Sequence, residues 1–112
     1  MTQALKILNM QMITDPLGHQ VFIEQSMLLF NRRMMQSDEV LDDISAVIEK
    51  PMMIFRSTGD AARFYYVRAI GWNKTMLISV EKTNDRFEVV NCEMDPSIER
   101  FTELYSETER LA

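Results

Sequence analysis

The sequence predicts an α+β fold in a single domain spanning residues 1–112, and three observations carry that prediction. A chain of 112 residues with 46 % apolar residues can bury one core and has no room for a second. Apolar residues recur at helical spacing over 24–36, over 38–49 and again after residue 95. Between the last two of these stretches the period shortens to the two-residue alternation of β-strands, interrupted by turn chemistry. The resulting order is a short N-terminal strand pair, two helices, a four-stranded antiparallel meander and a C-terminal helix, with the helices expected over one side of the sheet.

Each element has a local cause. Asp15-Pro16-Leu17-Gly18 between Ile13-Thr14 and Val21-Phe22-Ile23 is a four-residue turn, because Pro presets the first central dihedral and Gly closes the turn that Asp opens. From Glu24 to Gln36, Met27, Phe30 and Met34 share one helical face. Ser37 is suited to N-cap the next helix, Asp38 and Glu39 put negative charge in its first turn, and Val40, Leu41, Ile44, Val47 and Ile48 form its apolar stripe. Pro51 cannot continue a helix, so an extended segment follows over Met52 to Arg56.

Ser57-Thr58-Gly59-Asp60 turns the chain into a β-branched and aromatic strand, Arg63 to Ile70, of which both faces are partly apolar. Gly71-Trp72-Asn73-Lys74 and Lys82-Thr83-Asn84-Asp85 separate two further alternating segments, 75–81 and 86–90. Asp95 as N-cap and Pro96 at the first helical position open a C-terminal helix carrying Ile98, Phe101, Leu104, Tyr105 and Leu111.

Composition narrows the function classes. The opening dodecapeptide lacks the continuous apolar stretch of a secretory signal, and no apolar run reaches the roughly 18 residues of a spanning helix. A cytoplasmic protein with no membrane association is expected. One Cys92 and one His19 cannot form an internal disulfide or a Cys/His zinc cage, which predicts a fold without metal or other cofactor in a reducing compartment. A net charge of −5 opposes free-standing nucleic-acid binding, yet the charge is uneven. Residues 50–90 hold seven basic and four acidic side chains, whereas 1–49 hold three and seven and 91–112 hold two and six. Such a basic middle can present a cationic face.

The chain contains no Ser/His/Asp order, Gly-rich phosphate loop or HExxH motif. The residues left to carry chemistry are Arg32, Arg33, Arg56, Arg63 and Arg68, and His19, whose side-chain type suits acid–base work near neutrality. Arg68 shares the strand face of Phe64, Tyr66 and Ile70, where a cation either snorkels at a sheet end or points into a concave site. Ten methionines, including Met34-Met35 and Met52-Met53, fill irregular core space or build an adaptable surface.

Several strings resemble a phage-associated group of small nuclease-fold domains. They are Asp15-Pro16-Leu17-Gly18 running into Val21-Phe22-Ile23, the helix ending Leu28-Leu29-Phe30, the junction from Leu41 to Pro51, and the strand Arg63-Phe64-Tyr65-Tyr66-Val67-Arg68. The group comprises barnase, EndoU, colicin and RelE-like domains, among them the C-terminal domain of phage MuF head-morphogenesis proteins, and the resemblance spans about residues 13–105. It implies a metal-independent ribonuclease in which an RNA 2′-hydroxyl attacks the adjacent phosphate. Arg63 and Arg68 would then face the phosphate, Arg32, Arg33 and Arg56 would bind substrate, and Tyr66 would relay a proton or stack a base. His19 is a candidate acid or base by its chemistry rather than by a family motif.

A second class fits the acidity. A small acidic domain can act as an inhibitor, an anti-defence or immunity protein that occupies the nucleic-acid channel of a basic partner protein. Asp38, Glu39, Asp42, Asp43 and Glu49, and Glu99, Glu103, Glu107 and Glu109, would then steer and select the partner. The same acidic residues also serve as ordinary solvated helix faces.

Overall fold

The computed structural model describes residues 10–24, 38–84 and 86–112. It is an α+β domain built on one seven-stranded sheet. The strands are β1 (Met10–Thr14), β2 (Gln20–Glu24), β3 (Met53–Ser57), β4 (Arg63–Gly71), β5 (Lys74–Thr83), β6 (Arg86–Met94) and β7 (Thr108–Arg110). The helices are α1 (Asp38–Glu49) and α2 (Ile98–Glu107). Of the predicted helix over 24–36, Glu24 belongs to β2, and the remainder lies outside the described residues, as do Ser37, Arg32 and Arg33 and the side chains of Asp38, Glu39, Val40 and Leu41.

The sheet is larger than a four-stranded meander. Its order is β1-β2-β6-β5-β4-β3-β7, so the consecutive antiparallel strands β3 to β6 form only its inner part. The N-terminal hairpin joins through a parallel pairing, Val21 opposite Phe87 and Phe22 opposite Glu88. On the other edge, β7 pairs antiparallel with β3, Arg56 lying opposite Glu109. Alternation predicts which strand faces are apolar but does not name the neighbour, so it carries no sign of this distant pairing.

The helices cover opposite faces of the sheet, not one side as expected. Ile44, Val47 and Ile48 of α1 pack with Val21, Ile23, Ile54, Phe64, Tyr66, Met76, Ile78 and Val80 on one face. Leu104 and Phe101 of α2 pack with Phe55, Val67, Leu77, Met53 and Tyr65 on the other. The cause lies in the central strands. β4 and β5 carry apolar residues at both odd and even positions, so each face of the sheet's centre demands a cover. Between the pairs Ser79 to Asn91 and Val80 to Val89 the register of β6 slips by one residue at Val90. This bulge lets Val89 and Cys92, three positions apart, both point into the α1-side core.

The C-terminal helix starts and stops differently from the prediction. Asp95 does not cap it. Asp95 adopts φ 50° and is tied to β5, donating its N–H to the Thr75 carbonyl at 2.7 Å and accepting from the Thr75 N–H at 2.9 Å. Ser97 is the N-cap, its Oγ accepting from the Arg100 N–H at 3.1 Å. At the other end the Thr58 N–H and hydroxyl both donate to the Glu107 carbonyl, and the chain turns out as β7. Leu111 therefore packs from an extended segment, its N–H donating to the Ile54 carbonyl at 2.7 Å, instead of extending the helix.

Candidate functional site

The loop between β1 and β2 brings together the ionisable and aromatic side chains most capable of chemistry. Its turn closes as its residues dictate, the Gly18 N–H donating to the Asp15 carbonyl at 3.1 Å, with Gly18 at φ 89°, a conformation that favours glycine. Asp15 is 4 % exposed, and its carboxylate takes four hydrogen bonds. Oδ1 accepts from the Leu17 N–H at 2.9 Å and the His19 N–H at 2.8 Å. Oδ2 accepts from the Tyr66 hydroxyl at 2.5 Å and lies 3.1 Å from His19 Nδ1. A carboxylate only accepts, so Nδ1 carries the proton in this contact and the neutral imidazole has its lone pair on Nε2. The ring stacks on Phe87, centroids 4.3 Å apart, and meets the edge of Phe64 at 5.7 Å.

His19 and Tyr66 are thus joined, as two of the predicted catalytic residues, through an aspartate that the sequence marked only as a turn former. Tyr66 is fully buried, and burial, then the bond to Asp15 and the Asp15 charge, push its phenol well above the ordinary value. Its hydroxyl donates to the Asp15 carboxylate. The orientation of His19 by a buried carboxylate, with its side chain 30 % exposed, is the arrangement that acid–base catalysis uses.

Among the described residues, the predicted cations Arg56, Arg63 and Arg68 do not converge on this loop. Arg63 lies on the α2 side of β4, and its Nη2 donates to Glu81 Oε2 at 2.8 Å. Arg56 and Arg68 share the face of Phe64 and Tyr66. However, Arg56 lies opposite Phe64 in the sheet, and Arg68 is four residues farther along β4, about 13 Å away. Arg56 is engaged by Glu109, its Nε donating at 2.9 Å. Arg68 Nη1 donates to the Lys50 carbonyl at 2.6 Å, closing the end of α1.

The carboxylates of the helices are placed differently. Asp42 and Glu49 on α1 are exposed and Asp43 is half-buried. On α2, Glu99, Glu103 and Glu107 recur every four residues and are all exposed, forming one acidic stripe. Arg100 is the cation beside that stripe, and it is held by Glu93 at 3.1 Å while reaching Glu103 at 3.8 Å. Since α1 and α2 lie on opposite faces, the domain shows an acidic helix on each. Among the described residues no cluster of three or more His, Cys, Asp or Glu residues has the arrangement of a metal site, and no helix is long and apolar enough to cross a membrane. Comparison of the chain with protein-family models, with curated proteins and with solved structures returned no match.

Proposed function

We propose that the chain is an acidic, non-enzymatic binding protein that docks an anionic helix surface on a basic nucleic-acid-binding protein and competes with its nucleic acid. The observation that carries this reading is the asymmetry of charge pairing. Arg56, Arg63 and Arg100 are each paired with a carboxylate of this chain, whereas Glu99, Glu107 and Asp42 are exposed, as is Glu103, which Arg100 reaches only at 3.8 Å. A surface of this kind steers association with a cationic channel and mimics the charge of a phosphate backbone. The test is to titrate the protein against a panel of basic nucleases with a labelled RNA or DNA competing. Binding that displaces nucleic acid, and that weakens on Glu99→Lys with Glu103→Lys, supports the reading; failure to displace nucleic acid from any of them overturns it.

The second reading, a metal-independent ribonuclease, rests on His19. Its Nε2 would take or give a proton while Asp15 holds the ring. If so, the protein cleaves single-stranded RNA in chelator-treated buffer, and His19→Ala reduces cleavage at least about a hundredfold while the fold is retained. An inert wild-type protein under those conditions removes this reading and leaves the first untouched.

A further inference from the structure

The outer side of β1 is left unused by either reading. In the β1–β2 hairpin the Asp15 N–H donates to the His19 carbonyl at 2.9 Å, so these two residues face each other as a hydrogen-bonded pair. Antiparallel ladders alternate hydrogen-bonded and non-hydrogen-bonded pairs. Counted back along the register, Ile13 with Val21 and Gln11 with Ile23 are bonded pairs, and Met10, Met12 and Thr14 turn their N–H and C=O groups away from β2. β1 is the last strand of the sheet, so among the described residues no strand receives those groups.

Sheet edges are ordinarily guarded by charge, proline, a bulge or brevity. The opposite edge obeys this rule, because β7 has three residues and two of them are Glu109 and Arg110. β1 has none of these devices. It has five residues, Met10-Gln11-Met12-Ile13-Thr14, in unbroken register, and it alone of the seven described strands contains no ionisable side chain. On the face away from α1, Met12 is 48 % exposed beside half-buried Phe22.

This neutrality selects the occupant. Two copies of a chain with net charge −5 repel each other at long range, and β1 itself brings no like charges into opposition. We infer that a second copy of this chain pairs its β1 antiparallel with the first, about a two-fold axis through Met12, joining the two sheets into one. Met12 then exchanges both backbone hydrogen bonds with its counterpart, and Met10 exchanges with Thr14 of the other copy. The two Met12 side chains come to lie side by side on the open face. Five residues of edge bury much less than the roughly 1,200–2,000 Å² of a standard interface, so the dimer is weak and its population rises with concentration.

The test combines sedimentation over a concentration series with amide hydrogen exchange. A dimer should form, and protection of the Met12 and Thr14 amides should grow with concentration while the Gln11 and Ile13 amides are protected throughout. Met12→Lys, which sets like charges across the axis, should weaken dimerisation at least about tenfold and leave the monomer's circular dichroism unchanged. Trp72→Ser removes the most exposed large apolar side chain among the described residues, at the β4–β5 turn, and should leave dimerisation intact. A chain that stays monomeric, a dimer with unprotected Met12 and Thr14 amides, or a dimer lost on Trp72→Ser but kept on Met12→Lys overturns the proposal. The exchange measurement on the wild-type chain decides the matter even if Met12→Lys fails to fold.

Discussion

Asp15 bonds the loop backbone, His19 and a tyrosine from a distant strand through one carboxylate, so its loss should be felt well beyond its turn. Asp15→Ala leaves the Tyr66 hydroxyl buried without its acceptor and releases two loop amides, and should cost about 2–4 kcal/mol in urea denaturation. Tyr66→Phe deletes one bond and should cost less, about 1–2 kcal/mol. The same residue sets an alkaline limit. The folded state holds the Tyr66 phenol above its ordinary value of about 10, so its contribution is complete below that pH and is lost as pH rises above it. Cys92 adds to this, because burial, then the charges of Glu93 and Asp43, push its thiol up to about 12. The urea midpoint of the wild-type chain should therefore fall from about pH 9 upward, and the fall should be shallower in Tyr66→Phe.

At the scale of elements, the two helices act on separate cores with the sheet between them. Ile48→Val on α1 should cost about 0.5–1.5 kcal/mol and Leu104→Ala on α2 about 2–5 kcal/mol. The double variant should be additive within about 0.5 kcal/mol, and a larger coupling in the denaturation curves would mean that the two cores communicate through β4 or β5. Much of this layout was legible in the sequence. The stripe of Ile44, Val47 and Ile48, the stop at Pro51 and the alternation through Phe64 and Tyr66 each have local causes, and each corresponds to an observed element. The apolar character of both faces of 63–70 is also plain in the sequence, and its structural consequence is a helix on each side. What escaped was non-local. Leu111 follows Leu104 by seven residues, a helical interval, yet it belongs to a segment that pairs with β3. Asp95 has good capping chemistry, but β5 takes its hydrogen bonds. Within the candidate site, His19 and Tyr66 were visible as residue types, whereas the carboxylate joining them was not, because nothing in Asp15-Pro16-Leu17-Gly18 points to a strand about fifty residues away.

On the scale of the whole molecule, the proposed function rests on how charge is distributed. Arg56 and Arg63 are paired with carboxylates of this chain, Asp42, Glu49, Glu99, Glu103 and Glu107 are exposed, and the net charge is −5, so the long-range field is that of an anion. If the proposed binding holds, charge reversal at Asp42 and Glu49 or along Glu99, Glu103 and Glu107 should lower the association rate with a basic partner. Dissociation should change less, and the difference between variant and wild type should shrink as salt shortens the screening length from about 10 Å at 0.1 M to about 3 Å at 1 M. Stopped-flow measurements at several ionic strengths would show this, and rates indifferent to salt would contradict it. Reversal of which helix matters identifies the docking face, since α1 and α2 look in opposite directions.

The parallel union of β2 with β6 bears on how the chain is made as well as on its final shape. Within this sequence the ribosome releases the hairpin early, while the strand it must lie against follows α1, β3, β4 and β5. The first described β-structure is therefore among the last to dock, and until Phe87 and Glu88 leave the exit tunnel the apolar side chains of Val21 and Ile23 lack the β6 strand that completes their setting.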